Sequence, residues 1–457
     1  MIVVIFLLVM LGVMGGLALT GHAATDLPLP AIFSLIGIFA FLFTAGVYIA
    51  ATLAILGLLA GFVFSTRPFW LAIGPTAWNT SSNYVLIAVP LFLLMGEILL
   101  RSGVSERLYK TLGMWVTRLP GGLLHANIVS SGVFATVCGS SIATAATMGS
   151  VALPYFERTK YDKKMVLGSL AAGGALGNLF PPGITLIIYG LLTETSVGKL
   201  YLASLLPGIM VMLLCMAVVV AYGLRNKRLI IEKGVPLRER LMALVHLLPA
   251  VVLIALVLGS IYGGLATPTE AAALGVVGAA VFAALNRTLS LKMLHACAVS
   301  TARKTAMIGL ILLGAFLLSY ILTSLRLPQI MTAFVAGLPL PAWAVMSMII
   351  LFYFALGTFM EGFAMVITTI PVVFPIVKTL GYDPLWFGVI VTLLIEATLI
   401  TPPEGTILYI LQGLRPTPGP ISDVFAGVTK FVVMYLLAVA VLMVFPQIAL
   451  WLPNVLN

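Results

Sequence analysis

Charged residues are scarce in this chain of 457 residues. They make up 8% of it, against 61% for hydrophobic residues, whereas a soluble globular domain carries roughly 25% charged residues. This scarcity excludes a soluble enzyme. A transmembrane helix needs about 20 apolar residues, so the chain length predicts roughly ten to twelve spans of a polytopic membrane protein.

Patterns that would form disulfides or bind a metal cofactor are missing as well. The three cysteines lie far apart in separate apolar runs and the four histidines are scattered, so we predict no disulfide framework and no cofactor. Apolar runs such as 210–222 lack the alternation of a barrel strand, which predicts an all-helical fold. Residues 1–30 have no basic residue before their apolar core, and we expect them to remain as an extra membrane helix.

Positive charge is present and unevenly distributed. Of the 24 Lys and Arg residues, 20 fall in five loops, at 101–118, 158–164, 225–240, 287–304 and 415–430. The loops that alternate with these hold only Arg67, Lys199, Arg326 and Lys378. Cytoplasmic loops carry the excess of Lys and Arg, so we assign the first set to the cytoplasm. Membrane orientation, and not nucleic acid, then explains the net charge of +10.

This assignment makes two segments enter and leave the membrane on the same side. Residues 121–155 join two cytoplasmic loops, and residues 343–377 join two external ones. Each segment has room for two half-membrane helices but not for two spans of about 20 residues. Each also has a small polar tip, Gly139-Ser140-Ser141 and Gly357-Thr358. We therefore predict two re-entrant hairpins whose tips line a cavity, because irregular backbone at membrane depth needs protein or water beside it.

The two segments belong to a repeat. A shift of 221 positions superposes Pro154 on Pro375, Tyr161-Asp162 on Tyr382-Asp383, Pro181-Pro182 on Pro402-Pro403, and Thr185 on Thr406. The charge-derived topology separates the copies by an odd number of spans, which inverts the second copy relative to the first. Inverted repeats with paired broken helices are typical of secondary transporters, whose site lies near the bilayer midplane.

Each hairpin is followed by a helix that is interrupted in its middle. The interruptions are at 178–183, Asn-Leu-Phe-Pro-Pro-Gly, and at 401–406, Thr-Pro-Pro-Glu-Gly-Thr. Two successive prolines stop a helix and leave carbonyls without donors, and such carbonyls can bind a cation. The half-helices that start after Ser141 and Thr358 direct free amides and a positive dipole end toward an anionic group. Sodium and a carboxylate could therefore meet at one site.

At these residues the sequence resembles the large membrane subunit of tripartite ATP-independent periplasmic (TRAP) transporters, over nearly everything from about Gly46 to Gln447. The resemblance is carried by 89–97 (VPLFLLMGE), 120–123 (PGGL), 139–143 (GSSIA), 181–183 (PPG) with 188–190 (IYG), 266–272 (ATPTEAA) and 401–403 (TPP). It differs from the usual family pattern at Thr144 and Glu361, where Asp is usual, and at Glu404 and Thr406, where Val and Asn are usual.

The resemblance implies an elevator-type fold of the ion-transporter superfamily and a sodium-driven importer in a bacterial inner membrane. It further implies two partners, a small four-helix membrane subunit and a periplasmic substrate-binding protein. The implied cargo is a small carboxylate such as a C4-dicarboxylate or sialic acid.

The site residues follow from the tips and the breaks. The predicted substrate ligands are Ser140, Ser141, Thr185, Thr358 and Thr406. The predicted sodium ligands are Gly139, Ser140, Asn178, Pro181, Gly183, Gly357, Thr358, Thr401, Pro402 and Gly405. Three intramembrane carboxylates, Glu361, Glu396 and Glu404, are candidates for proton or ion coupling. Glu270 is instead predicted to cap a helix with Thr267.

The predicted organisation has six segments: an extra helix at 1–30, scaffold helices at 31–120, a first transport region at 121–200, scaffold helices and a cytoplasmic loop at 201–325, a second transport region at 343–413, and a C-terminal helix at 421–457. Residues 31–64 are too long for one span, and we predict a break near Gly46. An intramembrane protease is disfavoured because the serines have no partnered base at a defined spacing. A carrier of the same architecture that works without a binding protein, or on protons, stays open.

Overall fold

The protein was analysed as a computed structural model, which describes residues 29–65, 68–157, 159–226 and 235–456. The predicted extra helix at 1–30 lies almost entirely outside the described residues. In chain order the α-helices are α1 Leu29–Thr44, α2 Ile49–Phe64, α3 Ile73–Ser81, α4 Ala88–Arg101, α5 Val104–Val116, α6 Leu124–Cys138, α7 Ser141–Phe156, α8 Lys163–Gly174, α9 Ile184–Thr193, α10 Val197–Arg225, α11 Leu237–Ala243, α12 Leu248–Tyr262, α13 Pro268–Leu285, α14 Leu291–Ser324, α15 Leu327–Ala336, α16 Ala342–Gly357, α17 Gly362–Thr379, α18 Pro384–Thr398, α19 Thr406–Gly413, α20 Ser422–Val444 and α21 Gln447–Val455.

The described part of the chain is helical throughout, as predicted. Seven helical stretches are long and apolar enough to cross a membrane, and seven shorter apolar helices have 10–17 residues. Seven is fewer than the ten to twelve spans expected from length. Of the seven shorter apolar helices, four adjoin a tip or a break: Leu124–Cys138, Ile184–Thr193, Ala342–Gly357 and Pro384–Thr398. The protein is nonetheless a multi-pass membrane protein.

Two local predictions are confirmed at helix ends. α1 ends at Thr44 and Gly46 adopts a left-handed conformation with φ of 76° before α2 begins, which is the predicted break. α13 begins with a capping box, in which the Thr267 hydroxyl accepts from the Glu270 amide and the Glu270 carboxylate accepts from the Thr267 amide.

The order of elements is the same in the two halves that the 221-residue shift relates. A pair of helices meets at a short tip (α6 and α7; α16 and α17), a further helix follows (α8; α18), and a break with a cis Pro-Pro bond leads to a short helix (α9; α19). Pro154 and Pro375 lie inside the second hairpin helix of each half. The inversion of one half relative to the other, and the segment boundaries given above, stay predictions.

The chain divides into two compact units, of which the first comprises residues up to Leu86, Arg303–Met348 and Phe363–Pro384. Within it α2 packs closely on α14. A Cβ atom at Gly57 would lie 3.2 Å from the Leu318 Cα, and one at Gly314 would lie 2.6 Å from the Ala50 carbonyl oxygen. Small residues allow such backbone approach between membrane helices.

The second unit comprises Ile87–Ala302, Ile349–Gly362 and Leu385–Asn457, and it contains both tips and both breaks. Two of its helices, α8 and α20, approach each other closely at glycines. Gly168 of α8 packs against the Gly427 carbonyl of α20, and Gly427 packs against the Lys164 carbonyl. At one end of the same helix pair Asp423 forms ion pairs with Lys164 at 3.9 Å and Arg415 at 3.4 Å.

Candidate functional site

The first tip lies directly against the first break. α6 ends at Cys138, and Gly139 follows in a left-handed conformation with φ of 63°. A Cβ atom at Gly139 would lie 2.5 Å from the Pro182 carbonyl oxygen, so glycine permits both the turn and the contact. Ser140 then caps α7, its hydroxyl accepting from the Ala143 amide at 3.5 Å.

Glycine also brings the break itself onto the tip. A side chain at Gly177 would collide with the backbone of Ser140 and Ser141, and a side chain at Gly183 would collide with the carbonyl of Asn178. The Pro181-Pro182 bond is cis, and α9 starts at Ile184, directly after Gly183. The first tip and the first break therefore form one packed unit in which all residues of the break are buried.

Glu396, from the second half of the chain, completes this unit. Its carboxylate accepts from the Ser141 hydroxyl at 2.7 Å and from the Asn178 side-chain amide at 2.9 Å. The Ser141 oxygen in turn accepts from the Asn178 backbone amide at 3.0 Å and its side-chain amide at 2.9 Å. Glu396 has no exposed surface, and both of its hydrogen-bond partners are neutral.

Three side-chain oxygens of the first break and of the helices next to it, α7 and α9, make no hydrogen bond. Within the described part of the chain, Asn178 Oδ1, Thr185 Oγ1 and Thr144 Oγ1 are buried and make no hydrogen bond. Buried polar atoms are normally paired, so unpaired oxygens at a tip and a break are candidates for ligand binding. Oxygen ligands of this kind suit small hard cations.

The second tip also lies against the second break, but different groups form the contact. Gly357 packs on Thr398, where a Cβ atom would lie 2.8 Å from the Thr398 hydroxyl oxygen. The Glu404 backbone amide donates to the Thr358 carbonyl at 2.9 Å. The Pro402-Pro403 bond is cis, and both prolines are exposed. This break is therefore more accessible than the first.

Glu404 occupies the start of the helix that follows. One carboxylate oxygen accepts from the Thr406 backbone amide at 3.1 Å, and the other accepts from the Thr406 hydroxyl at 2.5 Å. Glu404 is half-buried, and Gly405 precedes α19 in a left-handed conformation. The Glu404 carboxylate therefore already accepts from the first backbone amide of α19.

Each predicted tip lies against its predicted break. Two of the predicted ligand hydroxyls, however, donate to backbone carbonyls of the helices that precede them. Thr358 donates to the Ala355 carbonyl and Thr401 to the Ala397 carbonyl, each at 2.7 Å. Glu361 lies between the second tip and the start of α17 and makes internal contacts. The roles of the predicted ligands stay predictions.

The sequence reasoning missed the bond from Glu396 to the first tip, because nothing in a linear sequence relates Ser141 to a residue 255 positions away.

Comparison with known proteins identifies the family. The model of the DctM component of tripartite ATP-independent periplasmic transporters matches residues 35–448. The C4-dicarboxylate TRAP transporter large permease protein DctM of Pseudomonas aeruginosa is 33% identical over 82% of this chain and 88% of its own length. The sialic acid large permease SiaM of Vibrio cholerae is 31% identical over 81% of this chain and 87% of its own. The ectoine large permease TeaC of Halomonas elongata is 30% identical over 80% of this chain and 86% of its own.

A solved structure shares the fold. The YdaH transporter of Alcanivorax borkumensis aligns with 91% of this chain and 99% of its own, with a TM-score of 0.62 and 16% sequence identity. A relative of this kind supports the polytopic transporter fold and nothing finer. Together with the family match over most of the chain, it leads to one identification: the chain belongs to the DctM family and is a large inner-membrane subunit of the TRAP transporter type.

Proposed function

We propose that this chain is the subunit that carries a small carboxylate across the bacterial inner membrane, driven by sodium and moving by an elevator mechanism. The transport role follows from membership of the DctM family. The cargo class, the coupling ion and the mechanism are the proposal. Relatives named for C4-dicarboxylate and sialic acid support a small organic acid as cargo.

One observation carries the choice of sodium. Asn178 Oδ1 is buried and unpaired at the first break, while the amide nitrogen of the same side chain bonds to Glu396. A cation beside this oxygen would gain a hard ligand and lie near a carboxylate whose other partners are neutral. Sodium fits both features because it binds oxygen and carries one charge.

The anion would be held without Lys or Arg, since neither occurs in segments 139–145, 177–190, 355–365 and 395–410. The amide ends of helices can replace them. The start of α7 after Ser140 is such an end, and its capping bond of 3.5 Å is long. A bound sodium ion nearby would add positive charge, so that ion and cargo would bind cooperatively.

The elevator mechanism and the two partners rest on the family. The compact unit that holds both tips and both breaks also contains predicted scaffold helices and leaves out most of α17, so the division into units does not define a moving body. A small four-helix membrane subunit would anchor the complex, and a periplasmic binding protein would deliver the cargo.

Uptake by proteoliposomes tests the proposal. The full chain is reconstituted with its small subunit, and uptake of labelled succinate, labelled sialic acid and a labelled ω-amino acid is measured with and without the binding protein. A sodium gradient and a proton gradient are applied separately. We expect uptake only with sodium and the binding protein; full uptake on protons in sodium-free buffer would refute the coupling ion.

A further inference from the structure

The tips and breaks carry two carboxylates that have no basic partner in the described part of the chain. Glu396 lies at the first tip and Glu404 at the second break, and every hydrogen-bond partner of their carboxylates is neutral. Among the described residues no Lys, Arg or His pairs with either one. A charged carboxylate at membrane depth is costly unless a cation or a proton neutralises it. Two sodium ions would balance the two carboxylates, but a dianionic cargo would add two further negative charges.

Access separates the two carboxylates. Glu396 is completely buried behind the first tip, so a coupling ion can reach it more readily than an organic cargo. Glu404 is half-buried, and its neighbours Pro402 and Pro403 are exposed. Of the two, Glu404 is the carboxylate that a cargo molecule can approach.

Glu404 also makes the second break unfavourable for an anion. The backbone amide and the hydroxyl of Thr406 already bond to its two carboxylate oxygens. A carboxylate from the cargo would find these donors occupied and a like charge beside them. A cationic group would instead find an oxygen pair fixed in position by the helix start and by the bond from the Glu404 amide to Thr358.

We propose that the cargo is a zwitterion, a small acid that also carries an ammonium group, and that Glu404 binds the ammonium. The inference rests on the proposed function and narrows its cargo class. The carboxylate of the cargo would lie toward the amide end of α7 at the first tip, and the ammonium toward Glu404 at the second break. A cargo of this kind adds no net charge to the site.

Binding measurements on two matched series test this inference without transport. The purified full-length chain is titrated in sodium chloride and in potassium chloride with α,ω-dicarboxylates and with ω-amino acids of two to six carbons, and thermal unfolding is followed. We expect at least one ω-amino acid to raise the unfolding temperature in sodium, and the dicarboxylate of equal carbon number to have no comparable effect.

Variants then assign the effect to Glu404. Glu404→Gln should weaken binding of the amino acid by about tenfold or more, as expected when one partner of a close charge pair is lost, while Glu404→Asp should retain part of the affinity. Glu157→Gln is the matched control, because Glu157 bonds to the Thr417 hydroxyl far from the tips.

Each alternative result is decisive. If dicarboxylates bind in sodium and amino acids do not, the zwitterion is excluded while the proposed function stands. If Glu404→Gln lowers sodium affinity without changing the preference between the series, Glu404 is an ion ligand and the inference is wrong. If neither series binds, the inference also fails, and the uptake assay decides the proposed function by itself.

Discussion

Asn178 links the backbone of the first break to Ser141 and Glu396 and is the residue on which the proposed sodium site depends. Its side-chain amide donates to Ser141 and Glu396, while its carbonyl oxygen is unpaired in the described structure. An asparagine whose donors are satisfied and whose acceptor is free is already oriented to receive a cation. This orientation would not need to be created when the ion binds.

We therefore expect Asn178→Ala to weaken sodium binding by about tenfold or more, equivalent to at least roughly 1.4 kcal/mol. The substitution removes an oxygen ligand and also one of the two donors to Glu396. Sodium titration by calorimetry measures the change. Asn286→Ala is the control, because Asn286 bonds to Arg107 and to the Ser102 carbonyl outside the site. Equal sodium affinity in both variants would exclude Asn178 as a ligand.

Ser141 illustrates how far residue-level reasoning from sequence reaches. A serine at a polar tip was a reasonable candidate for the substrate, and its location at the tip is as expected. Its hydroxyl, however, donates to Glu396 and accepts two N–H groups from Asn178. A linear pattern identifies which segments are polar and where helices stop. It does not reveal which polar groups satisfy one another across the two halves of a fold.

At the scale of elements, glycines determine how closely each tip approaches its break. Gly177 is the most demanding position at the first tip, because a side chain there would overlap the backbone of Ser140 and Ser141. The sequence indicated the proline pairs and the tip glycines through their spacing. It could not single out Gly177, since the chain has 43 glycines and only the fold shows which of them lie against the backbone of a tip.

Gly177→Ala should therefore separate the first tip from the first break. Overpacking of this kind costs about 1–3 kcal/mol of stability, and we expect sodium affinity to fall with it because Ser141 and Asn178 move apart. Thermal unfolding and sodium titration measure both effects. Gly259→Ala in α12 is the control, since nothing lies within 4 Å of its added Cβ atom, and helical alanine is favoured over glycine. If the two variants behave alike, the close approach has no functional importance.

For the molecule as a whole, the order of elements repeats, and the charge distribution predicts that the second copy is inverted. Lys160 follows α7 and Lys378 lies in the last turn of α17, so single cysteines at these positions mark corresponding ends of the two hairpins. We expect an impermeant thiol reagent to label the first from the cytoplasm and the second from outside, because 20 of 24 basic residues assign the first to the positive side. Lys199→Cys provides a second external position. Labelling of Lys160→Cys and Lys378→Cys from one side would contradict the inversion.

The fold class, the tips, the breaks and their repetition were predictable because each rests on a local physical rule. Apolar length predicts helices, a proline pair ends them, and small polar residues mark a turn at membrane depth. The limits of the two compact units were not predictable in the same way. They depend on which helices share glycine contacts, such as Gly168 with Gly427, and these contacts form between residues far apart in sequence.

The last turn of α18 contacts both tips. Glu396 bonds to the first tip, and Thr398, two residues later, supports the second tip at Gly357. Two residues turn a helix by about 200°. The side chains of Glu396 and Thr398 therefore point to opposite sides of the same helical turn. Opening either tip alone would disturb a segment that also holds the other. In the proposed sodium-driven carrier, the same few residues would therefore oppose both the passage of sodium without cargo and the passage of cargo without sodium.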